Sequence, residues 1–261
     1  MRARGFGALL VVLALAGCGS SGESSGSPNA ITQAAAKTAR AGSIKADFNI
    51  SGAGAKGKGS GVFNTGADRS SRSSMEIGVR NNVSKLETIV AANVLYLRSR
   101  VFAQAGFAGA RDWVKLDLGQ LAQQRGVDLS SLVNASPTPT SALAYLRGTK
   151  DVKKVGTESV NGVDATHYRA TADLSQAAAK SNGAARQSIK RVMQIGGVKT
   201  LPIDVWVDDQ GYLRKIAWAE HTSPSTAAKV TMVLHDFGSP VTIKPPSGKV
   251  IDLLQAGGGT G

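Results

Sequence analysis

Cysteine is almost absent. Cys18 is the only one in 261 residues, so no intramolecular disulfide forms and stability has to come from a buried core. Aromatic residues make up 5% of the chain, and no Lys/Arg block is interleaved with them. The formal charge of +13 (31 basic against 18 acidic residues) therefore does not read as a nucleic-acid surface. His167, His221 and His235 lie in strand-like segments without H-x-x-x-H or paired-cysteine spacing, so no metal site is legible. No serine stands in a G-x-S-x-G setting, which leaves a nucleophilic triad without a nucleophile. Neither enzyme activity nor a cofactor is expected. The sequence also lacks the run of roughly 20 apolar residues that a membrane-spanning helix requires.

What is present begins at the N-terminus. Arg2 and Arg4 precede an apolar stretch from Phe6 to Ala16, the layout of a secretory signal peptide. Leu15-Ala16-Gly17-Cys18 resembles the bacterial lipobox, which implies cleavage after Gly17 and diacylglycerol on the Cys18 thiol. The mature chain, with Arg2 and Arg4 removed, then carries about +11. It would be an exported lipoprotein held by its lipid at the outer face of the cell membrane. Residues 1–17 are thus assigned to a signal peptide, and 18–29 to the lipidated cysteine and a flexible Gly/Ser linker. One domain spans 30–255, and 256–261 form a disordered tail.

Within the domain, periodicity predicts a helix over 30–41, stopped by Gly42. Strands follow over 43–52, 57–66, 73–81, 83–91 and 93–99. Trp113 to Leu118 leads into a helical middle section at 117–125 and 139–149. Strands return at 151–158 and 164–173, joined by the hairpin pair Asn161-Gly162. A single helix over 174–195 and strands at 202–209, 212–222 and 227–237 complete the chain. The pattern is α+β, a long antiparallel sheet with helices across one face.

Gly52 to Gly57 matches GxGxxG formally, but a strand-like segment follows it rather than the helix N-terminus that a phosphate loop needs. A glycine-rich hairpin is expected there. Asp208-Asp209 reads as turn chemistry rather than a catalytic carboxylate pair. The remaining candidates are apolar strand residues: Leu86, Val90, Leu95 and Leu97, in segments that alternate imperfectly, and Val205, Val207, Ile216, Trp218, Val230, Met232 and Leu234, which recur on one face of each closing strand. The same pattern describes a packed core or the lining of a lipid cavity.

The string Leu201-Pro202-Ile203-Asp204-Val205-Trp206-Val207-Asp208-Asp209-Gln210-Gly211-Tyr212-Leu213-Arg214-Lys215-Ile216 resembles the closing strands of the LppX/LprA/LprF/LprG lipoproteins of actinobacteria. Trp113-Val114-Lys115-Leu116 and Val160 to Tyr168 resemble that family's middle segments. The resemblance implies a LolA/LolB-like fold, a strongly curved antiparallel half-barrel with helices packed across its concave face. It implies an apolar cavity between the two layers for a lipid or acylated glycolipid carried across the periplasmic space, with a possible envelope transporter as partner. One departure stands out: 42–62 is rich in Gly, Ala and Lys and offers few bulky side chains to line a pocket. The alternative is an envelope interaction or scaffold lipoprotein without a ligand.

Overall fold

In the computed structural model the described residues are 24–256, apart from 53, 80–81, 105, 107–108, 110, 118, 121–137 and 224–225. Cys18, the signal peptide, the first part of the linker, most of the helix expected at 117–125, and 257–261 lie outside them.

Thirteen strands among the described residues form one sheet. Chain order gives β1 (Ser24–Ser25), α1 (Pro28–Ala39), β2 (Ser43–Gly52), β3 (Ala55–Asn64), β4 (Ser71–Val79), β5 (Asn82–Ala91) and β6 (Val94–Ser99). There follow α2 (Arg100–Gln104), β7 (Trp113–Asp117), α3 (Pro139–Tyr145) with a 3₁₀ turn at Leu146–Gly148, β8 (Thr149–Val160) and β9 (Val163–Asp173). The chain continues through α4 (Leu174–Ala179), α5 (Gly183–Gly196), β10 (Thr200–Asp208), β11 (Leu213–Ser223) and β12 (Thr226–His235). It closes with β13 (Val250–Asp252) and α6 (Leu253–Ala256). The spatial order is β1-β8-β9-β10-β11-β12-β2-β3-β4-β5-β6-β7-β13. Every pairing is antiparallel except β13 on β7. The β12–β2 pairing joins the late meander to the early one, so strands far apart in sequence share one surface.

Local chemistry explains the turns. Asn161 and Gly162 both have positive φ (50° and 78°), the geometry of a two-residue hairpin whose twist suits the strands it joins. Gly52 and Ala55 close the β2–β3 hairpin, so the glycine-rich segment is a strand turn leading into β3, as expected. Asp208 is buried and builds its turn: Oδ1 accepts from Tyr212 N at 2.7 Å and Oδ2 from Arg214 Nε at 2.6 Å.

Helices α1, α3, α4 and α5 lie on one face of the sheet. Ile31, Ala34 and Ala35 of α1 join Leu143 of α3, Leu174 of α4 and Ile189 of α5 in a core with residues from β2, β3, β4 and β8–β12. Tyr145 meets Trp218 edge-on at 6.0 Å and 69°, a preferred aromatic arrangement. Buried Thr38 accepts a hydrogen bond from Leu213 N at 3.0 Å, which fixes α1 over the start of β11.

Four features differ from the sequence reading. Ser24 and Ser25, expected in a free linker, pair with Lys154 and Lys153. Gly26 N then donates to Val152 O at 2.9 Å, and Ser27 caps α1 through Asn29 N. The edge of β8 offers unpaired backbone groups, which composition alone does not reveal. The helix expected over 174–195 is two, because Lys180 to Asn182 break it. Ser181 is buried there, and Arg186 donates to the carbonyls of Ala178 and Ser181. Trp113 to Asp117 is a strand, its register set by β6 on one side and β13 on the other. The strand β13 has no local signal at all.

Candidate functional site

Strand register puts all eleven candidate apolar residues on the helix-facing side of the sheet. From β10 to β6 that face runs Val205↔Ile216↔Met232↔Phe48↔Gly59↔Met75↔Leu86, with Trp218↔Val230 one step along and Val90↔Leu95 at the far end. The two halves of this row are not equivalent. Val205, Val207, Ile216, Trp218, Val230, Met232 and Leu234 are buried in the core beneath the helices. Leu86, Val90 and Leu97 are half-buried on β5 and β6, while Leu95 is buried. Leu95, Val90 and Leu97 form a separate cluster with Leu116 and Leu253.

The core beneath α1 and α3–α5 thus spans β8–β12 and reaches Phe48, Phe63 and Met75 on β2–β4, and beyond it, among the described residues, the half-buried Leu86, Val90 and Leu97 continue the face onto β5 and β6. Where the two halves meet there is a small pocket of about 40 Å³. Phe48, Phe63, Met75, Leu86 and Val90 line it, together with Ser71, Ser73, Ser74, Thr88 and Thr138, the last being the N-cap of α3. Phe63 explains why so little space is open. Its ring meets Phe48 edge-on at 5.9 Å and lies where a side chain on Gly61 would stand, since a Cβ there would come within 2.7 Å of Cε2. The strand spends its glycines on close packing: at Gly59 a Cβ would be 2.5 Å from Ser74 O. The scarcity of bulky side chains over 42–62 thus gives a shallow floor that one aromatic ring largely fills.

The opposite face of the sheet carries polar groups, among them His167 and His235, which the sequence marks as strand histidines without showing their partners. On β8–β11, His167 is buried between two carboxylates, with Nδ1 2.8 Å from Glu158 Oε1 and Nε2 2.8 Å from Asp204 Oδ1. Trp206 stacks on the imidazole and donates from Nε1 to Glu158 Oε2 at 2.8 Å. These hydrogen bonds, Trp206 first, hold the Glu158 carboxyl below the ordinary range. Lys215 Nζ sits 4.0 Å over the indole. Every group has a partner within the cluster, which is the pattern of a structural network rather than a waiting catalyst. Alternation along β8, β9 and β10 places these side chains together, but nothing in one sequence reveals the register.

A larger pocket of about 460 Å³ lies on this same face over β2–β6, with Trp113 of β7 at its end. Lys45, Arg72, Arg98, His235, Asp47 and Glu87 supply its charges. Arg98 donates to Glu87 Oε2 at 2.8 Å and holds that carboxyl below its ordinary range. No group of three or more residues suited to a metal ion occurs among the described residues. No described helix is long and apolar enough to cross a membrane.

No family model matches the chain. It is 33% identical over 180 residues to an uncharacterised 31.2 kDa Streptomyces griseus protein of the rplA-rplJ intergenic region, covering 63% of this chain and 58% of that protein. It is 26% identical over 174 residues to a Streptomyces coelicolor protein whose name calls it a lipoprotein, covering 63% of this chain and 52% of the other. The chain thus spans a little over half the length of the curated relatives it matches. In structure it resembles LprF of Mycobacterium bovis with a TM-score of 0.53 at 16% identity, over 86% of this chain and 100% of LprF. It resembles the Mycobacterium tuberculosis lipoprotein LppX with a TM-score of 0.50 at 13% identity, over 83% and 97% respectively. At such identities the likeness is one of fold: the chain has the LppX/LprF fold, the one its closing strands suggested.

Proposed function

We propose that this protein is an exported lipoprotein, anchored through Cys18 to the outer face of the cell membrane, that binds the acyl chains of a lipid or glycolipid and carries it across the envelope. The observation that carries the reading is the apolar face of the sheet: the packed helices bury it over β8–β12, and among the described residues Leu86, Val90 and Leu97 of β5 and β6 are only half-buried. The fold shared with LprF and LppX supports it, as does the lipobox-like Leu15-Ala16-Gly17-Cys18. In this reading the sheet curves around the helices and the acyl chain lies along Leu86, Val90 and Leu97, ending against the β10–β12 wall.

A pocket of about 40 Å³ is too small for an acyl chain, so loading requires the Thr138 end of α3 and the Phe63 ring to draw back. Each methylene leaving water contributes about 0.8 kcal/mol, so a chain of a dozen carbons outweighs a displacement costing several kcal/mol. Binding of this kind needs no catalytic group, and the headgroup remains in solvent.

Native mass spectrometry with lipid extraction tests it, on the anchor-free domain beginning at Gly19 and expressed in a lipid-rich host. A co-purified acylated species is the expected result. A ligand-free protein that also ignores fluorescent fatty acids would overturn the reading in favour of an interaction module, for which the filled core beneath the helices would then speak.

A further inference from the structure

We infer that the pocket ringed by Lys45, Arg72, Arg98 and His235, on the face of the sheet away from the packed helices, is a second binding site, for a small hydroxylated ligand bearing one phosphate group. Its volume of about 460 Å³ falls in the range of ligand sites, roughly 300–1,000 Å³, and exceeds what a bare phosphate fills. Pairing neutralises most of its charges. Lys45 Nζ lies 2.8 Å from Asp236 Oδ2, Arg98 Nε 2.8 Å from Glu87 Oε2, and His235 Nε2 3.3 Å from Asp47 Oδ2.

Arg72 is the exception. It is exposed, lines the pocket, and makes no hydrogen bond or ion pair among the described residues; it acts on Glu87 only at a distance. Register places it between Val62 on β3 and Ile89 on β5, with Lys45 two strands away and Arg98 on β6. One unpaired guanidinium, two paired cations able to share an oxyanion, and the Ser60 and Ser74 hydroxyls form a donor set for a phosphate ester with hydroxyl groups. Half-buried Val62 supplies an apolar surface for its carbon skeleton, with buried Ile89 behind it and Trp113 beneath the Arg98 guanidinium, 4.5 Å from the ring. The ligand is a soluble polyol phosphate or the headgroup of a phospholipid; the chemistry recognised is the same. The site is separate from the apolar face and does not depend on that reading.

Glycerol 3-phosphate titrated into the anchor-free domain, followed by ¹⁵N NMR, is expected to saturate and to move the amides of Lys45, Ser60, Arg72 and Ser74 and the Trp113 indole. Arg72→Gln is expected to weaken binding at least tenfold, with Arg72→Lys retaining part of it and the distant Lys190→Gln all of it. Because Arg72 is exposed, Arg72→Gln keeps the wild-type melting temperature and still binds a fatty-acid probe if the parent does. In a second arm the same proteins meet phosphatidylglycerol and phosphatidylcholine vesicles. Arg72-dependent binding to phosphatidylglycerol alone identifies a lipid headgroup, and saturation by glycerol 3-phosphate alone identifies a soluble ester. No Arg72-dependent response in either arm, or shifts confined to other surfaces, overturns the proposal.

Discussion

The indole of Trp206 lies flat on the imidazole of His167, 4.2 Å between ring centroids and 10° from parallel. Both rings are buried on the side of the sheet away from α1 and α3–α5, and Glu158 bonds to each. Both ring nitrogens of His167 face carboxylate oxygens, and both contacts are hydrogen bonds only when the ring carries two protons. This network braces β8 to β10, which β11 and β12 separate from β2 to β7 in the sheet.

The first prediction concerns acid. Donation from Trp206, and then His167, holds the Glu158 carboxyl below its ordinary 4.5 in the folded state. The unfolded chain therefore takes up that proton first as pH falls. The contribution is complete well above pH 4.5 and fades through and below that value. The carboxyl is half exposed, so solvent screening limits it to about 1 kcal/mol or less. Urea denaturation of wild type and Glu158→Gln should show the variant less stable at pH 7 and the gap closing towards pH 3. A gap that stays constant with pH contradicts this account.

Thr38 gives a test of the joint between α1 and β11. Thr38→Val keeps the volume but leaves the buried Leu213 N–H without its acceptor, at a cost of roughly 1–3 kcal/mol. Thr38→Ser restores the oxygen and most of the stability. Equal losses in the two variants would point to packing, not to the hydrogen bond.

The strands of both meanders were readable because each joins its neighbour through a short turn and alternates at period two. Asn161-Gly162 marks such a turn unambiguously. Elements held by distant partners were not readable. Ser24–Ser25 is a strand because the β8 edge is open to it, and Val250–Asp252 because β7 is. The candidate site divides the same way. Period-two alternation relates residues within one strand; that Leu86 and Trp218 share a face follows from the register across the sheet, and which of them a helix covers depends on where α1 and α3–α5 pack. The outer pocket was invisible because Lys45, Arg72 and Arg98 come from three strands whose register no single segment encodes.

Phe63 tests how much of the apolar face is available to a ligand. Phe63→Ala removes the ring that lies over Gly61 and meets Phe48, and should destabilise the lipid-free domain by about 3–5 kcal/mol. The same change enlarges the pocket beside Thr138, so a fluorescent fatty acid should bind more tightly and raise the variant's melting temperature by more than it raises the wild type's. Destabilisation without tighter binding would mean that the space is not part of a lipid path.

Leu86 separates lipid binding from folding. It is half-buried at the small pocket, whereas Ile216 and Met232 on the same face are fully buried under the helices. In Leu86→Lys the long side chain can carry its ammonium out to water, so the fold should lose no more than about 1 kcal/mol. If the proposed acyl path runs here, that charge has to be desolvated when a chain enters, and fatty-acid affinity should fall at least tenfold. Met232→Ala should do the reverse, costing about 2–5 kcal/mol in stability while leaving affinity per folded molecule within a few-fold of wild type. Denaturation curves and probe titrations on both variants decide the matter. If Leu86→Lys binds the probe as wild type does, the acyl chain does not run over β5.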